Sequence, residues 1–317
     1  MTTISAAPSP HRANRRGFAM ALTILVGGIV GGNFALAKFV VLQGASPFAL
    51  FFWQVSGAAV LLFGVVLVRG PNQLKGQMSS AHLRYYLIGG LLGISIPQVL
   101  GYMALQEVPA GLFTMAVTVS PLFTFLAASA YERRLLPLYR IVGLLIGLSG
   151  VLLATVSGIK TSMISGTSLL LLGLVPVFLA VTNVFRDKAY PAGGEPTVLA
   201  AGTLISQVIL LAPFVLGLDE FQQSMPVIVE LWPHVTGLMV ITALSYILTF
   251  ELYRHTDGVG FSQVGYFVIL SGVAAGALVF GEEISILFAI SVLLLFLGVA
   301  IGNGSLRITN KLNKSAG

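Results

Sequence analysis

The chain has 317 residues, of which 56% are apolar and only 9% charged. A soluble domain carries roughly 25% charged residues, so this composition excludes a soluble globular protein, and its apolar content excludes a disordered one. Cysteine is absent, which removes disulfides, thiolate metal sites and cysteine nucleophiles. The net charge of +6 is not a nucleic-acid signal. The basic residues stand singly or in pairs between apolar runs, and no basic patch is interleaved with aromatics.

A bilayer-spanning helix needs about 20 apolar residues. Ten stretches meet that need: 18–41, 47–68, 84–105, 109–130, 138–157, 166–186, 197–217, 233–253, 258–280 and 284–302. The first is preceded by Arg12, Arg15 and Arg16, as a signal peptide would be. Its apolar run exceeds the roughly 7–15 residues of an h-region, so residues 1–17 are expected to be a cytoplasmic tail before a spanning helix. Residues 158–165 read as a linker and 303–317 as a second cytoplasmic tail. With both termini in the cytoplasm, 15 of the 17 basic residues fall inside, as the positive-inside rule requires. The exceptions are Lys160 and Lys38, the latter within the first span.

The two halves resemble each other at an offset near 150. Asn33 and Lys38 recur as Asn183 and Lys188, and Glu132 recurs as Glu282. The third span carries Ser95, Gln98, Tyr102 and Gln106, and the eighth carries Thr242, Ser245, Thr249 and Tyr253. Both sets keep to one helix face. Five spans per half is an odd number, so the second half must enter the membrane inverted. The expected fold is all-α integral membrane, with two inverted five-helix repeats over 18–157 and 166–302. Such repeats characterise many secondary transporters, whose substrate sites lie near the midplane.

The run Gly31-Gly32-Asn33-Phe34, followed by Lys38, resembles the first-helix signature of the EamA family in the drug/metabolite transporter superfamily. Similar likenesses are Val119-Ser120-Pro121-Leu122-Phe123-Thr124 with Tyr131-Glu132-Arg133, and the half-ends Leu148–Leu152 and Phe296–Val299. The chain departs from the family at Tyr131-Glu132, where Gly-Glu is usual, and at Gln54, where Arg is frequent. The resemblance implies a cavity lined by helices 1, 3, 4, 6, 8 and 9.

Polar groups inside a bilayer are costly unless paired or facing a cavity. The expected substrate-binding residues are Asn33, Lys38, Ser95, Gln98, Tyr102, Thr114, Thr118, Asn183, Thr242, Ser245, Thr249, Ser262 and Tyr266. Pro97 removes a backbone donor and is expected to kink the third span. Lys38 is read either as a lysine snorkelling to the interface or as a charge meeting a substrate carboxylate. Arg186, Asp187 and Lys188 read as an anchoring cluster. Glu251 pairs with Arg254 on one face or couples transport to protons.

No catalytic residues, metal site or cofactor are expected. The four histidines lie at tails, loops or helix ends, and no nucleotide-binding fingerprint occurs. The expected function is a secondary transporter, with export favoured, of small neutral or zwitterionic metabolites such as amino acids. The alternatives are a multidrug or organic-cation exporter and a non-transporting membrane sensor. The expected partners are a small-molecule substrate and the lipid bilayer, with a homodimer left open. The expected location is a cell membrane, in a bacterium the inner one.

Overall fold

A computed structural model describes residues 10–157, 164–255 and 264–304. Every regular element among them is helical: α1 (Pro10–Leu42), α2 (Pro47–Arg69), α3 (Ser80–Gly90), α4 (Ile96–Leu105), α5 (Ala110–Thr118), α6 (Ser120–Glu132) and α7 (Leu138–Ser157). There follow α8 (Gly166–Lys188), α9 (Pro196–Val215), α10 (Asp219–Glu230), α11 (Trp232–His255), α12 (Val264–Phe280) and α13 (Ile286–Gly302). Eight helical segments are long and apolar enough to cross a membrane, and α12 and α13 are shorter apolar helices. Helix α1 starts at Pro10, inside the segment read as a tail, but its apolar stretch is Phe18–Leu42.

Polar contacts fix which helix ends lie together. At one end, Lys38 of α1 meets Glu282 after α12, and Glu282 meets the start of α5. Glu107 after α4 accepts from the Ser165 N–H before α8, and Ser46 before α2 meets Ser224 of α10. At the other end, Lys188 of α8 meets Glu132 of α6. Arg69 of α2 there donates to Thr197 of α9, and Gln77 to the Gly193 carbonyl. The chain therefore runs back and forth between a Lys38 end and a Lys188 end.

The packing crosses between the halves. Helix α1 packs on α11 and α12, while α8 packs on α4 and α6. Helix α2 packs on α9, and α7 on α13. The α7–α13 seam depends on glycine: a Cβ at Gly143 would sit 2.6 Å from the Gly298 carbonyl oxygen, and one at Gly298 would sit 2.6 Å from that of Gly143. Small residues at four-residue spacing let helix backbones approach this closely.

The third span is broken, as Pro97 predicts. A π-helical turn at Leu91–Ser95 joins α3 to α4 just before the proline. A π-turn is a known response to a disrupted helical ladder. Side chains serve the carbonyls on its α3 side. Gln207 of α9 donates to Tyr86 and Leu87, and Arg186 of α8 to Gly89. Helix α10 lies between the expected spans 197–217 and 233–253, where no spanning helix is expected. Its buried Phe221, Ser224 and Ile228 share one face, and Asp219 and Glu220 complement its N-terminal partial charge.

Candidate functional site

Gln54 is the hub of a buried polar network. Its helix, α2, carries few other polar side chains, and Gln54 itself is fully buried. A lone buried amide must find partners or cost stability. The Gln54 Nε2 donates to Thr242 Oγ1 at 2.6 Å and, at 3.4 Å, to Asn33 Oδ1. The Gln54 Oε1 accepts from the Tyr102 hydroxyl and from Gln98 Nε2 at 3.3 Å. Gln98 Nε2 also donates to the Tyr102 oxygen at 2.7 Å. Four helices, α1, α2, α4 and α11, are thus tied together, and Tyr102 is only 1% exposed. Gln98 and Asn33 are half-buried, and each has part of its amide uncommitted among the described residues.

The network unites four of the expected site residues: Asn33, Gln98, Tyr102 and Thr242. Sequence reasoning missed Gln54 as a member, noting it only as a departure from a family pattern. The signal was its isolation in an apolar helix.

Other expected residues have different surroundings. Ser95 donates to Gln207 at 2.8 Å, on the side facing α9. Thr114 bonds back to the Ala110 and Gly111 carbonyls, and its side chain packs where Gly272 of α12 leaves room. Thr118 bonds back to Thr114 and packs against Gly265. Asn183 is exposed and donates to Thr124 at 3.2 Å. Ser245 bonds back to the Ile241 carbonyl, and Thr249 is half-buried one turn further along α11. Tyr266 stacks edge-on against Phe296. Ser262 lies outside the described residues. Glu251 is half-buried near the end of α11, and the Arg254 side chain expected to pair with it is outside those described.

Lys38 is neither snorkelling nor awaiting a partner. It meets Glu282 at 2.6 Å, with side chains only 9% and 18% exposed. Its ammonium also lies 4.8 Å from the Phe280 ring centre, a cation–π distance. Glu282 accepts from the Ala110 and Gly111 N–H groups at 2.8 and 3.3 Å, capping α5 with a negative charge. At the opposite end Lys188 meets Glu132 at 2.8 Å, with both side chains 38% exposed. Lys188 also reaches Asp187, whereas Arg186 turns toward Gly89, so the expected anchoring cluster divides. Among the described residues no cluster of three or more His, Asp or Glu could hold a metal ion.

A multi-helical membrane protein with its polar side chains gathered inside is the class these features define. Residues 17–156 match the model of the EamA-like transporter family, which belongs to the drug/metabolite transporter superfamily. No curated protein sequence matches. Sixteen chains of solved structures do. One, titled "Crystal structure of protein", is 18% identical, with a TM-score of 0.53 over 88% of this chain and 95% of its own. At that identity the likeness shows the fold alone.

Proposed function

We propose that the chain is a secondary transporter of small neutral or zwitterionic metabolites such as amino acids. It works by alternating access between two inverted five-helix repeats and carries no catalytic site. In this reading α12 and α13 complete ten spans, both termini are cytoplasmic, the Lys38 end faces outward and the direction of transport is export. A bacterial inner membrane is the proposed location.

The crossed pair of ion contacts carries the reading. Lys38 and Lys188 are 150 positions apart, as are Glu132 and Glu282. Each lysine pairs with the glutamate of the other half, at opposite ends of the bundle. Helix packing follows the same exchange: α1 on α12 corresponds to α8 on α6, and α1 on α11 to α8 on α4. A two-fold relation between inverted halves generates this pattern, and rocking one half against the other exchanges the open end. The Gln54 network lies between the ends and offers amides and hydroxyls, which suit neutral hydrogen bonding. A cation exporter would need a carboxylate in that place, and the network has none.

Flux of labelled amino acids into proteoliposomes, with and without a proton gradient, tests the proposal. Saturable flux is expected, with a loss of about ten-fold or more in Tyr102→Ala and Gln54→Leu from protein that remains folded. Those two side chains hold a buried network whose members depend on one another. A gradient-dependent flux that vanishes in Glu251→Gln would assign Glu251 the coupling proton. Absence of flux for every neutral and zwitterionic compound would refute the proposal.

A further inference from the structure

Arg186 belongs to neither the ion pairs nor the polar network described above. Its Cα lies near the end of α8, where a basic residue would ordinarily reach out to the interface. Helical side chains lean toward the helix N-terminus, and Arg186 follows that lean into the bundle. Its Nη2 lies 3.5 Å from the Gly89 carbonyl oxygen, too long for a strong bond. The same atom comes within 3.1 Å of where a Gly93 Cβ would stand. Gly89 and Gly93 are near the middle of the Ser80–Leu105 span.

A guanidinium at that depth needs a partner. The ion pairs among the described residues join Lys38 to Glu282 and Lys188 to Glu132 and Asp187, so none involves Arg186. Its side chain is half-buried rather than sealed from the surface. Gly93 supplies the room, because any larger side chain there would collide with Thr182 and Arg186. An uncompensated charge within a span marks a solvated pathway or ligand site.

We propose that Arg186 receives the carboxylate of the transported molecule. The proposal rests on the transporter reading and sharpens its substrate class to compounds with one carboxylate and a short body. Gln98 lies five residues beyond Gly93, about 7.5 Å along a helix at 1.5 Å per residue. A carboxylate against Arg186 would leave an amino-acid-sized body reaching toward Gln98 and Asn33, whose amides have capacity to spare. The planar guanidinium suits two parallel N–H···O bonds to a carboxylate. A lysine there keeps the charge without the fork.

Binding of glycine, alanine, leucine and phenylalanine, each paired with its amide, separates this role from a structural one. Purified full-length protein would be titrated and followed by thermal shift. Wild type is expected to bind at least one acid about ten-fold or more tightly than its amide. Arg186→Gln is expected to lose that preference while leaving the amide within about three-fold, and Arg186→Lys to keep part of it, given the loss of bidentate geometry. Should Arg186→Gln fail to fold, the partial loss in Arg186→Lys is the deciding result. Equal binding of acid and amide by wild type, or an undiminished preference in the variants, would overturn the proposal. Flux separates the two readings. Arg186-dependent acid binding without flux in proteoliposomes defeats the transporter reading, whereas flux with acid preference intact in Arg186→Gln defeats the role of Arg186.

Discussion

The Lys38–Glu282 and Lys188–Glu132 pairs have the same chemistry and different surroundings. At the Lys38 end the carboxylate also caps α5, and both side chains are largely buried. At the Lys188 end both are 38% exposed and the lysine is shared with Asp187. The position equivalent to Ala110, at residue 260, lies outside the described residues. Closure at the first end ties three helix termini together, α1, α5 and α12. Contact at the second end joins two helices in a solvated setting. The proposed access cycle predicts this asymmetry, with the Lys38 end held more tightly than the Lys188 end.

Removing one acid from each pair gives the largest contrast. Glu282→Ala would leave Lys38 buried without its partner and two N–H groups of α5 uncapped. Breaking a buried pair from one side costs about 3–5 kcal/mol, so thermal unfolding in detergent is expected to move markedly downward. Glu132→Ala is expected to change it little, because exposed pairs contribute little. Equal losses would erase the distinction between the two ends.

Charge exchange sharpens the contrast. Lys188→Glu with Glu132→Lys is expected to restore wild-type unfolding, since only a solvated pair is inverted. Lys38→Glu with Glu282→Lys is expected to restore much less. A lysine at 282 cannot accept the Ala110 and Gly111 N–H groups, and it places positive charge at a helix N-terminus. Full rescue at both ends would show that the α5 cap adds nothing.

The smallest expected effect belongs to Glu107, also at the Lys38 end. The Ser165 N–H, and then the Ser165 and Ser168 side chains, hold its carboxyl below the usual 4.5. A lowered folded-state value means the contribution is present above about pH 4.5 and fades as pH falls through the folded value. Glu107→Gln is expected to flatten that acid-side dependence of the unfolding temperature slightly and to leave neutral-pH stability nearly unchanged. An unchanged acid limb would remove Glu107 from the stabilisation of this end.

The helical segments were legible because apolar run length is a local property. The predicted 47–68, 138–157 and 284–302 stretches lie close to Pro47–Arg69, Leu138–Ser157 and Ile286–Gly302. The 150-residue offset of Lys38 and Lys188, and of Glu132 and Glu282, stands in the sequence itself, but the crossing of those charges does not. Lys38 and Glu282 are 244 positions apart, and nothing local in the sequence joins them. Periodicity placed Thr114 and Thr118 on one face, yet it could not say that the face meets glycines of α12. Gln54 had no stripe to announce it, because its partners come from three other helices. Arg186 was hidden by its neighbours, since three charges at a helix end read as one surface cluster until their side-chain directions are known.

Single-cysteine labelling tests alternating access most directly, because the natural chain has no cysteine to remove. Ser245→Cys would place a thiol on the half-buried face of α11, one turn from Thr242. A membrane-impermeant maleimide would be applied from each side of sealed vesicles. Labelling is expected from the Lys188 side alone in otherwise unaltered protein, and from the Lys38 side once Glu282→Gln releases that end. Labelling from one unchanging side, in both proteins and with or without transported amino acid, would contradict alternating access.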